Sequence, residues 1–223
     1  NSTFEGSVKD WTANHRMHHK YEDINPQLDP YSIKHGFWWA HIFSHCVHHS
    51  PDYNKEKHLT NQELKLERNA FTNKILALED KYYAPLALFT GLIAPIILYK
   101  VIFPHDSIYS CIYSVVLAIL MTHHSTWSIN SFAHMIGDKL FLTKHTSGDT
   151  HLLSLITCGE GYHNFHHAYP KDYRASHTLK GCNLTAWFIT LLYKCGLAYD
   201  LKLAENIKVT ELPDFKNTVY KIK

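Results

Sequence analysis

Residues Ile108–Ile129 read I-Y-S-C-I-Y-S-V-V-L-A-I-L-M-T-H-H-S-T-W-S-I, a run without a single Asp, Glu, Lys or Arg. Its length approaches the roughly 20 residues that a helix needs to cross the hydrocarbon core of a bilayer. A second apolar run precedes it at Ala84–Phe103, A-P-L-A-L-F-T-G-L-I-A-P-I-I-L-Y-K-V-I-F. Lys100 alone interrupts that run, near its end, where the stem can snorkel to the interface. Pro85 suits a helix start, and Pro95 predicts a kink that neighbouring membrane helices accommodate. Pro104–Ser107 joins the two runs, so the expectation is a helical hairpin over 84–103 and 108–129. A paired core hairpin of a soluble protein is the alternative.

Working outward, long polar stretches flank the hairpin at 14–81 and 137–223, and a hairpin puts both on one side of a membrane. Lys55, Lys57, Lys65, Arg68, Lys74 and Lys81 lie on one flank, Lys139, Lys144, Lys171, Arg174 and Lys180 on the other, and none in the connecting loop. The positive-inside bias therefore predicts that both stretches are cytosolic. Gln62–Lys81 has the composition of a surface helix, and 201–223 is weakly amphipathic. Mean hydropathy, −0.24, averages these polar and apolar parts and hides the hairpin.

The chain has 223 residues and a net charge of +2, enough for one sizeable domain and too balanced for a nucleic-acid partner. Five scattered cysteines, Cys46, Cys111, Cys158, Cys182 and Cys195, form no C-x-x-C pair and suit a reducing compartment. The sequons at Asn1 and Asn183 are accordingly read as unused.

Histidine is the outlier, at 19 residues. Neutral imidazole is the commonest protein metal ligand, so the clustering of these residues matters. H-R-M-H-H supplies His15, His18 and His19, and H-N-F-H-H supplies His163, His166 and His167. On a helix, positions i, i+3 and i+4 share a side, so each box is expected to aim three imidazoles at one point. Asn130 and His134 lie one turn apart in N-S-F-A-H, just past the second apolar run. Seven histidines exceed what one zinc needs and suit a pair of metals. His48, His49, His58, His105, His145, His151 and His177 share no spacing and are expected at the surface. His123 and His124 sit at membrane depth, either hydrogen-bonded within the bundle or functional. His123, Trp127, Asn130 and His134 fall on one helical stripe. Imidazole sites suit zinc, copper, nickel or iron, and only a redox metal can oxidise an unactivated acyl C–H bond with O₂.

These residues resemble the membrane fatty acyl desaturases, and within them the stearoyl-CoA (delta-9) group. The matching stretches are N-H-R-M-H-H-K-Y, L-D-P-Y, G-F-W-W-A-H, T-W-S-I-N-S-F-A-H-M-I-G-D, G-E-G-Y-H-N-F-H-H-A-Y-P-K-D-Y-R-A-S and G-L-A-Y-D-L-K, over about 190 residues. The resemblance implies an all-α, integral-membrane four-helix bundle, with two of the four helices present here. A cytosolic helical cap would hold two irons on nine histidines and a water-linked asparagine. Of these, His15, His18, His19, His134, His163, His166 and His167 are present, with Asn130 as the asparagine. Trp127 matches a tryptophan that bonds the acyl thioester carbonyl, although an interfacial-belt tryptophan is an equal reading.

The resemblance further implies O₂-dependent insertion of a cis double bond into a saturated acyl-CoA, in unsaturated fatty acid biosynthesis at the endoplasmic reticulum membrane. Electrons would come from cytochrome b5 and its NADH reductase. An acyl-lipid desaturase, a lipid hydroxylase and an inactive metal-binding homologue are the alternatives. Nothing here matches the family's first box, H-x-x-x-x-H, or its two earlier helices, and the chain opens on Asn1. The expectation is an N-terminally truncated sequence, inactive by itself. Ala13, the His48–His49 pair and S-G-D-T at 147–150 replace residues that in the family include CoA-gripping cations.

Overall fold

The computed structural model describes residues 2–47, 49–177 and 183–204, and among them all regular elements are helical, as expected. Asn1, His48, Lys180, Cys182 and most of the 201–223 tail lie outside the described residues. The chain divides into two compact units, 1–127 and 128–223.

The first unit opens with α1 (Val8–Tyr21), capped where the Ser7 hydroxyl accepts from the Asp10 N–H at 3.2 Å. The 17-residue α3 (Pro51–Glu67) starts with Ser50 as cap and a proline in its first turn, both favoured at that end. Ala13, Met17 and His18 form the buried face of α1. Polar ties fix it to α3: Tyr53 donates to Asn14 Oδ1 at 2.8 Å, Tyr21 to Glu56 at 2.7 Å, and Arg16 forks onto Glu67 at 3.1 and 2.8 Å. Between these helices runs a loop with the short α2 (Phe37–His41).

The expected single helix over Gln62–Lys81 is two helices, because α3 ends at Glu67 and α4 (Ala70–Lys81) begins afresh. Asn69 makes the break, its side chain accepting from the Thr72 N–H at 2.8 Å and ending the preceding helix by capping the next. No residue of α4 is buried, so the surface placement stands.

Helix α5 (Tyr83–Ile102) and α6 (Ile108–Ser131) are the apolar hairpin. Their connector, Phe103–Ser107, is one residue longer than expected, because Phe103 leaves helical geometry as the C-cap. Pro95 is preceded by a π-helical turn, Phe89–Ile93, in which the Ala94 N–H reaches back to Phe89 O. The wider turn relieves the ladder that proline interrupts, the usual context of a π-bulge. Only 11 % of the most apolar stretch of each helix is buried. Ile97, Leu98, Val101, Tyr113 and Met121 stand more than half exposed, which is opposite to a soluble core hairpin.

The second unit begins in the last turn of α6 and continues through a 3₁₀ turn (Phe132–His134), α7 (His151–Ile156), α8 (His163–Ala168) and α9 (Leu184–Lys194). Leu140, Phe141, Tyr162 and Phe165 form its core. Two isolated bridges, Asp138–Asp149 and Asp149–Tyr162, hold the loops beside α8. Gly161 explains the G-E-G lead-in: a Cβ there would strike the Ser154 main chain and lie 2.6 Å from the Leu153 carbonyl carbon. Asp172, buried, takes a two-pronged bond from Arg174 at 2.9 and 2.5 Å, which absorbs the K-D-Y-R motif as scaffold. The Asn183 side chain caps α9 and donates to Arg174 O at 2.7 Å.

Candidate metal centre

Helix α1 carries the first box. The two imidazoles at i and i+4, His15 and His19, bring their Nε2 atoms to 3.1 Å. His18, at i+3, turns away: its Nδ1 lies 2.8 Å from Asp29 Oδ1, with both side chains 2 % exposed. Burial opposes a charge on His18, and Asp29 alongside outweighs it, holding its pKa above the ordinary imidazole range.

Helix α8 repeats this division. His163 and His167, again i and i+4, approach at 2.9 Å between Nε2 atoms, and His134 Nε2 reaches the same His163 atom at 3.0 Å. His166, at i+3, keeps its ring 5.8 Å from those of both His163 and His167. The expectation that each box aims three imidazoles at one point is therefore overturned; each splits two and one. At 3.6 residues per turn, i+3 and i+4 lie about 60° and 40° to either side of i, so the three share a face and what each imidazole meets decides its aim.

Three Nε2 atoms converging this closely cannot all be satisfied by one another, since each nitrogen carries at most one proton. With metal–imidazole bonds of about 2.1 Å, neighbouring ligands sit about 3.0 Å apart at right angles and about 3.4 Å apart in a tetrahedron. The spacings of 2.9 and 3.0 Å suit the right-angled arrangement, so His134, His163 and His167 fit a transition-metal ion. The Thr146 hydroxyl meets His134 Nδ1 at 2.9 Å and so holds the ring from behind.

Local packing explains why α8 points this way. Phe165, its apolar residue, is fully buried against Phe141 and Tyr169, which turns the histidines to the other side. Asn164, fully buried, accepts from the N–H groups of Phe141 and Leu142 at 2.8 and 3.1 Å and donates to Leu142 O and Ser147 O at 3.1 and 3.0 Å. Asp149 accepts from the Phe165 N–H at 3.1 Å, and burial pushes its carboxyl up to about 7. His177 is corrected from surface to packed: it lies against Phe141, Tyr162 and Phe165, and burial lowers its pKa to about 4. His151 is exposed, as expected, and its Nδ1 meets the Tyr162 hydroxyl at 2.8 Å.

In the first unit, Trp127 lies between two imidazoles, His123 at 4.8 Å and 18° and His45 at 5.3 Å and 22°. His41 and His124 stand edge-on to it and meet each other at 3.1 Å. His123 also bonds the Thr3 carbonyl, so both histidines are hydrogen-bonded, to the N-terminal segment and to α2. His45 is itself exposed, with its ring stacked on the indole and on Tyr31. Asn130 sits half-buried next to the last residue of α6, one turn before His134. Sequence reasoning missed His41, His45, Asp29, Thr146 and Asn164. For His41 and His45 the i, i+4 spacing in F-W-W-A-H-I-F-S-H was a usable signal.

Helices that present split histidine boxes, with carboxylate and hydroxyl groups behind individual imidazoles, define a histidine-rich helical metalloprotein. A family model of fatty acid desaturases matches residues 3–179, and the chain belongs to that family. It is 30 % identical over 200 residues to a probable acyl-CoA desaturase of Schizosaccharomyces pombe, covering 90 % of this chain and 40 % of that protein. It is 32 % identical over 201 residues to acyl-CoA desaturase 1 of Saccharomyces cerevisiae, covering 90 % and 37 %. It is also 32 % identical over 201 residues to stearoyl-CoA desaturase 2 of Rattus norvegicus, covering 89 % and 54 %. The chain thus spans about half or less of the length of these relatives.

Proposed function

We propose that the protein is a di-iron fatty acyl desaturase that places a cis double bond, at the delta-9 position, in a saturated acyl-CoA. The convergence of His134, His163 and His167 in a chain of the desaturase family is the observation that carries this reading. Two irons would supply the O₂-dependent oxidation that removes one hydrogen from each of two adjacent methylenes. The residues proposed to hold them are His15, His18, His19, His134, His163, His166 and His167, with Asn130 through a water. Division of each box between two directions supports two metals over one.

The remaining groups bind and orient. Trp127, its ring fixed between His45 and His123, would direct its indole N–H to the acyl thioester carbonyl and so set which carbons react. Helices α5 and α6, long, apolar and mostly unburied, would cross the endoplasmic reticulum membrane with the histidine boxes on the cytosolic side. Electrons would arrive from cytochrome b5 and its NADH reductase.

The test is expression of the full-length gene in yeast lacking its own desaturase, with fatty acids read by gas chromatography–mass spectrometry. Delta-9 monounsaturated chains, lost with His166→Ala, are expected. Hydroxylated chains would make it a lipid hydroxylase, and unsaturation confined to glycerolipid an acyl-lipid desaturase. Absence of any product from well-expressed, metal-loaded protein would refute the enzymatic reading and leave an inactive metal-binding homologue.

A further inference from the structure

We propose that Asp29 is a positioning residue for His18: its carboxylate holds Nδ1–H and so presents Nε2 as the metal-binding atom. The inference rests on the metal-centre reading above. Its basis is local geometry in the first unit.

The motif L-D-P-Y places Asp29 in a tight turn in which Oδ1 accepts from the Tyr31 N–H at 3.0 Å. That is an Asx-turn, and it fixes the carboxylate before any partner arrives. Pro30 restricts the same step and is fully buried. The pinned oxygen then meets His18 Nδ1 at 2.8 Å. Tyr31 closes one side, its ring edge-on to His18 at 5.7 Å and stacked on His45 at 5.2 Å. With both side chains 2 % exposed, water does not compete for the bond.

An imidazole whose Nδ1 is committed has only Nε2 left to bind a metal, and a carboxylate behind it raises the basicity of that atom. At His134 the group behind Nδ1 is the Thr146 hydroxyl, which can donate or accept and carries no charge, so it cannot fix the ring as a carboxylate does. Within the box, His15 and His19 bring their Nε2 atoms together, and His18 has the Asp29 carboxylate at its Nδ1. A purely structural role would need only an acceptor at Oδ1, which asparagine supplies. A positioning role needs the charge as well.

The test is Co(II) affinity of the whole protein in detergent, stripped by chelator and titrated in competition with a fluorescent chelator. Asp29→Asn keeps the turn to Tyr31, and a loss of about 10-fold in the affinity of one bound metal is expected; Asp29→Ala should approach 100-fold. In a His18→Ala background the Asp29→Asn change should have no further effect, since it acts through His18. Equal affinity of wild type and Asp29→Asn overturns the proposal, as does an undiminished effect without His18. A readout on unmutated protein stands beside these: with ¹¹³Cd and ¹⁵N-histidine, cadmium coupling to Nε2 of His18 is expected, and coupling to Nδ1 overturns the proposal. Wild-type protein that binds neither Co(II) nor Cd(II) overturns the metal-centre reading itself, and this inference with it.

Discussion

Replacing Asn164 by alanine removes four hydrogen bonds at once. Two of the partners, the Phe141 N–H and Ser147 O, are in fully buried bonds, while those to Leu142 are partly buried. A net hydrogen bond contributes about 1 kcal/mol, and an orphaned buried group costs more, so the buried pair accounts for about 2–3 kcal/mol and the Leu142 pair for about 1 kcal/mol. The sum, about 3–4 kcal/mol, lies at the high end for a single substitution. For a chain of this length it corresponds to a drop of about 6–16 °C in melting temperature. The assay is thermal unfolding in detergent, with hydrogen exchange followed over 140–148, where protection should fall first. Asn164→Asp should be nearly as harmful, because it turns a carboxylate toward two carbonyls. A melting temperature within about 3 °C of wild type for Asn164→Ala would refute the reasoning.

Gly161→Ala should destabilise by about 2 kcal/mol or more, because the new methyl would overlap the main chain of Ser154 and Leu153; an unchanged melting curve would contradict this. Asp149, raised to about 7 by burial, contributes stability that is full below its unfolded pKa of 3.8 and lost as pH rises through about 7. Asp149→Asn keeps the acceptor for Phe165 and does not ionise, so its stability relative to wild type should climb between about pH 4 and 7, by at most about 1.4 kcal/mol per unit, and then level. A difference that is flat with pH would show that Asp149 is ionised throughout. His163→Ala should lower bound metal, measured by plasma mass spectrometry, whereas His58→Ala, on an exposed residue bonded to Gln62, should not. Equal loss in both would detach the metal from this site.

Much was legible in the sequence because it is written in local terms. Two apolar runs of near-bilayer length, one uncharged and one carrying only Lys100 near its end, were enough to predict a helical hairpin. The H-x-x-H-H spacing, recurring about 150 residues apart, marks a metal-binding class because helical period sets which residues are neighbours. The Asn69 cap, which splits one expected helix into two, was also local and was outweighed by helix-forming composition.

What the tertiary structure decided is the aim and the support of each imidazole. Spacing cannot say that His15 pairs with His19 while His18 turns to Asp29, because that carboxylate reaches the ring through a turn of its own, 11 residues on. Nor can it say that His177 is packed among aromatic rings, or that His45 lies on Trp127, since both depend on contacts between distant segments. Asn164 sits inside a histidine box and binds no neighbour in sequence; its four bonds go to a loop about 20 residues earlier. Periodicity therefore sets which residues a helix can bring together, and long-range burial and hydrogen bonding set where each of them points.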